Sequence, residues 1–566
     1  MLLNGSTLNS VTLNGNRIEH TEGEPEYVVA GISYAWGVIL NVSGTDVAAH
    51  LVGSMSVDRE EGAAGLADFD LFIEEGVSVV PTDWRNKPVT IDFTCTDQAG
   101  MTKSERLFTG VITGPAWSAS ERILSCECGD QLQQRVEGMP LAAIDTLAGG
   151  VWSADLYEPV DGRSRWDYIQ ERLATVAGSL DCAADGSLRV TSWFAGAPQI
   201  VFGYGTTLDQ TVEFDAAQLS NVTNRVEVEF SFRYSRLWQL NQHYTWLVPA
   251  GSFCAWRVDS HELPTKDMIE DAATDGGQTM INGTFVYLPP SAPDPCGTGS
   301  PWINTYPDLL TGAGWTGARR WAQAVTETYT MVFATPEGEV EATQIIKRDS
   351  GSLEIESDSI EAWTSDPITG GVSGYSDVLD ESRRDLALRV KMLSARTQII
   401  AANRDNGMSW QVPTPMALGT DLTSTLQLDD QRTKGLGKCR RIVHDLDFEA
   451  GTAITTISIA IMRGGGSSDA LTAPPRLGVA HVDPGEKATD VLPSQIGGRS
   501  DSPPYDEDRD GFSGNYDYID NDVGQEEYPR RITATAPEIP AALRDELALT
   551  SESLYRVGIP NNQLEL

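Results

Sequence analysis

Basic residues are scarce in this chain: 41 Lys and Arg stand against 81 Asp and Glu, a net charge of -40 over 566 residues. That excludes a reader of nucleic acid, which needs a basic face to displace counterions from phosphates. It does not exclude DNA passing nearby, because an acidic wall repels a phosphate backbone and keeps it from sticking. A soluble acidic surface is the plainer meaning of the same number. Cysteine is sparse too. The seven (Cys95, Cys126, Cys128, Cys182, Cys254, Cys296 and Cys439) are odd in number and loosely spaced, which excludes a disulfide framework and suits reduced thiols. No apolar run is long enough to cross a bilayer, so no stable membrane insertion is expected. Met1–Gly15 lacks the basic stretch and apolar core of a secretory signal. The six His form neither H-x-x-H nor H-E-x-x-H, and no G-x-S-x-G or Walker loop occurs. Carboxylates are so numerous that choosing a glycosidase pair among them would be arbitrary. The expectation is a protein without catalytic residues or a bound cofactor.

What is present is β pattern. In Arg106–Glu137, Leu107–Thr113 and Ile123–Cys128 alternate as two antiparallel strands, with Gly114, Pro115, Ser118 and Ser120 breaking the run between them. Gly129-Asp130 ends the second strand, and Leu132, Arg135 and Val136 suggest a short helical turn. Cys126 and Cys128 share one strand face, either as small buried hydrophobes or as a metal pair. Further strands are expected at 32–42, 48–57, 68–74 and 89–95. Several strands at short spacing point to a barrel or sandwich over 27–140. The preceding arm, 1–26, repeats Leu3-Asn4-Gly5, Leu8-Asn9 and Leu13-Asn14-Gly15. It either packs on its own domain or adds to a neighbouring sheet edge, which makes Leu3, Leu8 and Leu13 candidate partner contacts.

The stretch 141–205 reads as a small α+β domain, with a helix over Trp166–Ala177 capped by Gly178 and a hairpin turning at Asp185-Gly186. A second β domain is expected over 206–463. Val226, Val228, Phe230 and Phe232 alternate with polar partners there. The stretch 237–307 is rich in Trp, Tyr, Pro and Gly without clear period and reads as a loop-rich insertion. Asp377–Arg404 is the longest helix candidate, with a stripe of Leu386, Val390, Leu393, Thr397 and Ile400. Arg440–Phe448 and Ala453–Ile461 form a closing hairpin. Gly464–Ser468 reads as a flexible linker to an extended C-terminal arm, 464–566, with a short helix near Pro540–Leu549. Ile532, Ile539, Leu543, Leu547, Leu554, Tyr555 and Ile559 are its candidate buried or partner-binding residues. The fold class is therefore mainly β with minor α+β.

Four passages in this order resemble the baseplate-hub or tail-tip-hub family of bacteriophage tails. They are the Leu107–Ile112 strand followed by Leu124–Gly129, the Trp166–Ala177 helix with the Leu180–Val190 hairpin, the Asn224–Phe230 strand NRVEVEF, and the closing Arg441–Ile461 hairpin. The opening Leu-Asn-Gly repeat also looks like tail proteins of flexible, non-contractile phages. The likeness covers about 27–462, interrupted by the insertion, and the C-terminal extension departs from it. It implies two tube-forming hub domains per chain and a homotrimer in which they alternate around a lumen. The role implied is a structural virion protein that continues or closes the tail tube, anchors fibre or needle proteins and lets DNA through without binding it. The distal tail protein, the tape-measure protein and tail fibres are the implied neighbours, in a virion assembled in the host cytoplasm. A second reading makes the chain a host-surface binder through the aromatic-rich insertion or the C-terminal arm. If a lumen exists, part of the negative charge should face it.

One metal motif stands out. Asp506, Asp508 and Asp510, with Gly511 and then Asp517, match calcium-loop spacing, in which alternate oxygens converge on one hard cation. Pro503-Pro504 excludes a preceding EF-hand helix, and the competing meaning is an acidic solvated segment. His444 with Asp445 and Asp447 reads as a polar cluster at a strand end.

Overall fold

The computed structural model describes residues 26–566 other than 28–33, 204–205, 209, 217–221, 249–262, 295–296, 298, 340–344, 357–372, 431, 479–488, 496–504 and 514–529. Six strands build the first β region: β1 (Tyr34–Val42), β2 (Leu51–Glu60), β3 (Leu66–Phe72), β4 (Pro88–Asp97), β5 (Thr102–Ser118) and β6 (Ile123–Gly129). Their alternation puts Leu40, Met55, Val57, Phe69, Leu71, Ile91, Phe93, Phe108 and Leu124 into one core. Cys126 and Cys128 join them, and burial pushes the Cys126 thiol up to about 12. β5 does not break at Gly114-Pro115. A bulge between Ile112 and Gly114 absorbs the irregularity, and beyond Val111 the strand no longer pairs with β4, so Pro sits where a missing N–H is tolerated. Among the described residues this region forms no closed barrel. Its order, β2-β3-β6-β5-β4-β1, ends on the short strand Thr45–Asp46.

The helices α1 (Leu132–Glu137), α2 (Leu141–Ala148) and α3 (Arg165–Leu173) pack on a hairpin of β7 (Gly178–Cys182) and β8 (Leu188–Ser192). Ser164 caps α3 by accepting from Asp167 N. Gly178 is not the helix cap. It opens β7, where a Cβ would come within 2.9 Å of the Thr191 carbonyl oxygen.

The main departure from the pattern lies in β9 (Arg225–Leu247) and β11 (Leu310–Ala334). They pair antiparallel without a register shift from Arg225↔Ala334 to Leu247↔Gly312. At roughly 3.4 Å per residue the 23 residues of β9 span about 75 Å. Leu237–Leu247 is thus strand, not irregular loop. Its period is hidden because Ser235 to Gln242 are all buried, so neither face of the strand is left polar to solvent. Between these strands lie α4 (Lys266–Asp275) and β10 (Thr279–Tyr287), which pairs with β11. The near half of the ribbon carries β12 (Ile346–Ile355) on β9 and packs against α5 (Glu381–Ala402). Asp380 caps α5, accepting from Ser382 N at 3.0 Å and Arg383 N at 3.2 Å. The expected stripe on α5 is shifted. Leu386 is exposed, whereas Arg384, Ala387, Leu388, Met392, Ala395 and Ile399 are buried. With Val390, Thr397 and Ile400 buried as well, the helix is covered over more than one face and no single stripe dominates.

β13 (Asn406–Pro413), β14 (Lys434–Asp447) and β15 (Thr452–Ile461) complete the larger sheet. Ile457, Ile459 and Ile461 pack with Trp410 and Phe202. β14 also pairs with β2, so both β regions contribute to one 15-stranded sheet.

The C-terminal region returns to its own chain. β16 (Leu547–Arg556) adds parallel to Val325–Ala334 of β11, Asp490–Leu492 adds to β9, and Leu564–Glu565 adds to β14. Leu547 and Leu549 are therefore strand residues, and the helix before them is only Ala541–Arg544. The Gly464–Gly466 run is a close backbone crossing, not a loose linker. Gly465 bridges Ile559, and a Cβ on Gly464 would meet Ile559 at 2.5 Å.

Candidate functional site

The side chains that alternation sends away from the two cores of the larger sheet form a largely polar face. Register places them in rows. Asp445 stands beside Ser56, Ser56 beside Asp68, and Asp68 beside Glu127. In the next rows Val443 neighbours Asp58, and Ser458 neighbours Arg441, which neighbours Glu60. Asp70 faces Ser125, and Asp447 faces Ser54. All of these side chains are partly or fully exposed. The face thus crosses from β13, β15 and β14 into β2, β3 and β6, and is made mainly of Ser, Thr and acids, with few cations and with Val443 and the exposed Leu66 on either side of Asp58.

Its electrostatics follow from that composition. Arg441 holds Asp58 through two nitrogens, at 2.9 and 2.5 Å, and Arg440 stands 4.0 Å from Glu60. Asp68 has no such partner in the row. Desolvation raises its pKa, and repulsion from Asp70, Asp445 and Glu127 adds to it. Such a surface offers a polyanion few cations to exchange for its counterions, and Arg441 is already held by Asp58.

His444 departs from the expected cluster. It points into the core while Asp445 and Asp447 point out, because neighbouring strand residues face opposite ways. Its Nδ1 lies 2.8 Å from Thr455 Oγ1. Thr455 donates its own proton to Thr414 Oγ1, so the imidazole donates from Nδ1. Burial, with a smaller contribution from Arg59, lowers its pKa to about 3.

A buried ionic junction holds the face's scaffold to the α+β unit. Arg59 pairs with Asp421 at 2.7 Å, Arg189 reaches both Asp421 and Asp181, and Arg404 pairs with Glu61 at 2.6 Å. Burial pushes the Asp421 carboxyl up, but Arg189 and Arg59 outweigh it and hold it well below the usual range. A second network closes the near end of the ribbon. Glu327 is fully buried and accepts from Tyr329, Arg384 bonds the Tyr329 hydroxyl at 2.6 Å, and Arg476 bonds Tyr234 at 2.7 Å. Neither junction was visible in the sequence, where its members are scattered over hundreds of residues.

The other candidate residues fall as follows. Leu3, Leu8, Leu13 and Asp517 lie outside the described residues. Asp510 accepts from Thr535 N at 2.7 Å and Thr535 Oγ1 at 2.9 Å, and Asp506 accepts from Asp508 N at 3.2 Å. Among the described residues, no three His, Cys, Asp or Glu side chains converge as metal ligands would. Ile532, Ile539, Leu543 and Ile559 are buried within the chain. Tyr555 stacks on Phe333 at 5.0 Å, Leu547 packs on the near core, and Leu554 is half exposed. The expectation that no G-x-G-x-x-G occurs is incorrect: Gly312–Gly317, GAGWTG, has the spacing of a dinucleotide loop. It lies inside β11, not at a strand-to-helix turn, so it has no phosphate-binding geometry.

No protein-family model matches the sequence, and no curated protein does. Solved structures do. A tail protein from Neisseria meningitidis is 11% identical, with a TM-score of 0.37, over 75% of this chain and 96% of its own. The 43 kDa tail protein of prophage MuSo2 from Shewanella oneidensis is 10% identical, with a TM-score of 0.34, over 75% and 97%. A component of the E. coli type VI secretion system is 7% identical, with a TM-score of 0.28, over 78% and 81%. The chain's solved look-alikes are phage-tail and secretion-system proteins. At these identities and scores the likeness carries no argument about what this chain does.

Proposed function

We propose that the chain is a structural hub subunit of a phage tail tip, of the non-contractile kind. Three copies assemble into a ring that continues or closes the tail tube and anchors fibre or needle proteins. The observation that carries this reading is the largely polar face, which crosses both β regions and carries more carboxylates than cations. A passage for DNA needs such a wall: hydrated, hydrogen-bonding and unable to hold phosphate. On this reading Asp58, Asp68, Asp70, Glu127, Asp445 and Asp447 face the lumen.

The test is a reconstruction of the tail tip together with a charge reversal. Asp68→Lys, Asp70→Lys and Glu127→Lys combined should leave tails assembled and slow DNA ejection at low salt. A lumen lined mainly by Arg and Lys, a homogeneous hexamer of the full-length chain, or unchanged ejection by assembled mutant tails would each overturn the reading.

A second reading, contact with the host surface, draws on the far end of the ribbon. Leu247, Val286, Tyr287, Ile303 and Tyr306 are exposed there. Loss of adsorption by tails carrying polar replacements at these positions, with assembly intact, is the result it requires.

A further inference from the structure

The outer side of α5 is basic and apolar in a chain where 81 Asp and Glu face 41 Lys and Arg. Leu386, Arg389, Leu393 and Arg396 follow one another at spacings of three, four and three, which sets them in one row along the helix. At 1.5 Å per residue the row is about 15 Å long. Leu386 is 38% exposed and Arg389 is exposed, while Leu393 and Arg396 are half-buried. Among the described residues neither leucine joins a core. Ile400, next in the row, is buried and ends it.

The other cations of the first three turns of α5 are taken. Arg383 is held by Asp155 at 2.5 Å, Arg384 by Asp385 at 2.6 Å and Lys391 by Asp349 at 2.9 Å. Asp385, the carboxylate nearest the row on the helix surface, is thereby engaged. Arg389 and Arg396 have no ion pair or hydrogen bond among the described residues, and Arg396 Nε is shut off from solvent as well. Unpaired guanidinium groups between leucines suit a partner that brings carboxylates on apolar ground.

The chain carries that complement on its far body. α4 packs Ile269 and Ala272 into the far core and turns Asp267, Asp271 and Asp275 outward at intervals of about one turn, all three exposed. Lys266, the only cation of α4, is held by Glu270 at 2.9 Å. Asp271 and Asp275 therefore have no ion-pair partner among the described residues. Half-buried Met268 borders their row and offers apolar surface. The 10 residues of α4 also measure about 15 Å.

One chain cannot bring these two helices together. α5 packs on the near core with Phe230, and α4 packs on the far core with Tyr244. The ladder between those residues is unbroken for about 45–50 Å. Two α5 rows cannot pair either, since arginine would meet arginine. Copies that each carry a net charge of -40 repel one another, so a contact between them needs spare cations, and this row supplies them.

We infer that the outer row of α5 binds the outer face of α4 of a second copy of this chain. Arg389 and Arg396 pair with the Asp267, Asp271 and Asp275 side chains, and Leu386 and Leu393 cover Met268. The contact is head-to-tail, and it rests on the ring reading only for its closure, since a rotation that closes makes a ring.

The test follows association of the purified full-length chain by analytical ultracentrifugation at low salt. Arg389→Glu with Arg396→Glu, and separately Asp271→Arg with Asp275→Arg, should each weaken association about tenfold or more, with melting temperatures unchanged. Mixed in equal amounts, the two variants should associate as the parent does, because the reversed α5 then meets the reversed α4. Added salt should weaken the parent's association, since the pairs are partly exposed. Arg389→Glu alone, at an exposed position, keeps the test open if the double reversal unfolds, and should weaken association about threefold. A parent that stays monomeric, reversed variants that associate like the parent, or association indifferent to salt would overturn the inference. So would a loss that mixing does not restore, which would give the row to a different acidic partner. Restored association that builds open chains and no ring would sink the ring reading and leave this contact standing. A ring whose subunits meet elsewhere would do the reverse.

Discussion

At the scale of single residues, titration separates the two faces of the larger sheet. His444 is neutral in the fold, with its pKa lowered to about 3, and protonates near 6.5 once unfolded. Between those values the unfolded chain binds a proton that the folded chain refuses, so stability falls as pH falls through that window. His444→Gln should flatten the stability-pH slope between pH 6 and 4 by about 1.4 kcal/mol per unit, read from urea unfolding at each pH. Asp68 behaves the other way. Its folded pKa is raised, so the folded chain holds the proton more tightly and stability falls as pH rises through that pKa. Asp68→Asn should raise the melting temperature at pH 7, and the gain should shrink as pH approaches 4. Of these roles the sequence showed the outward alternation of Asp68 around Phe69 and Leu71. It could not show the neighbours Glu127 and Asp445, because register between distant strands is not a local property. His444 was misplaced for a related reason. Three polar residues in a stretch of four read as a cluster until strict alternation separates them.

At the scale of elements, legibility followed solvent. Where one face of a strand is wet, as in Leu66–Phe72 or Val226–Phe232, period two is visible and the strand is found. Where both faces are covered, as in Ser235–Gln242, the pattern vanishes although the strand continues. The Gly464–Gly466 run failed differently. Glycine signals looseness and close approach with the same letter, and here it is the second. Gly466 has a φ of +81°, and a Cβ there would sit 2.6 Å from Pro336 Cγ. Gly466→Ala should therefore cost about 1–3 kcal/mol. Gly478→Ala, where nothing lies within 4 Å, should stay within about 0.5 kcal/mol of the parent. Paired denaturant titrations check both, and equal effects would show that the crossing does not need its glycine.

At the scale of the whole molecule, the C-terminal region is part of three cores. Phe512, Ile532 and Ala534 belong to the far one, Val557 and Ile559 to the near one, and Ile539 and Leu543 pack on Trp238 between them. Each large apolar side chain contributes roughly 1.5–3 kcal/mol on burial, against a total stability of about 5–15 kcal/mol for a domain. A chain ending at Met462 should therefore lose its cooperative thermal transition or precipitate. A truncated protein that melted like the full-length one would show that the returning strands only decorate a finished fold. The sequence reading of a detachable arm followed from its weak period and many prolines. It missed that short strand pieces need little pattern of their own when an existing edge supplies the partner.

The β9–β11 ribbon has one more consequence, a mechanical one. Its two strands run through the near core and the far core in a single unbroken ladder, Arg225↔Ala334 to Leu247↔Gly312. A pull applied along the ribbon at its far end acts parallel to the strands, so neighbouring hydrogen bonds are sheared together and do not open one by one. The far body is therefore the end of a stiff rod, and a tug or a torque on it arrives at the base of the ribbon, at Glu327 and α5, with little lost to a hinge on the way.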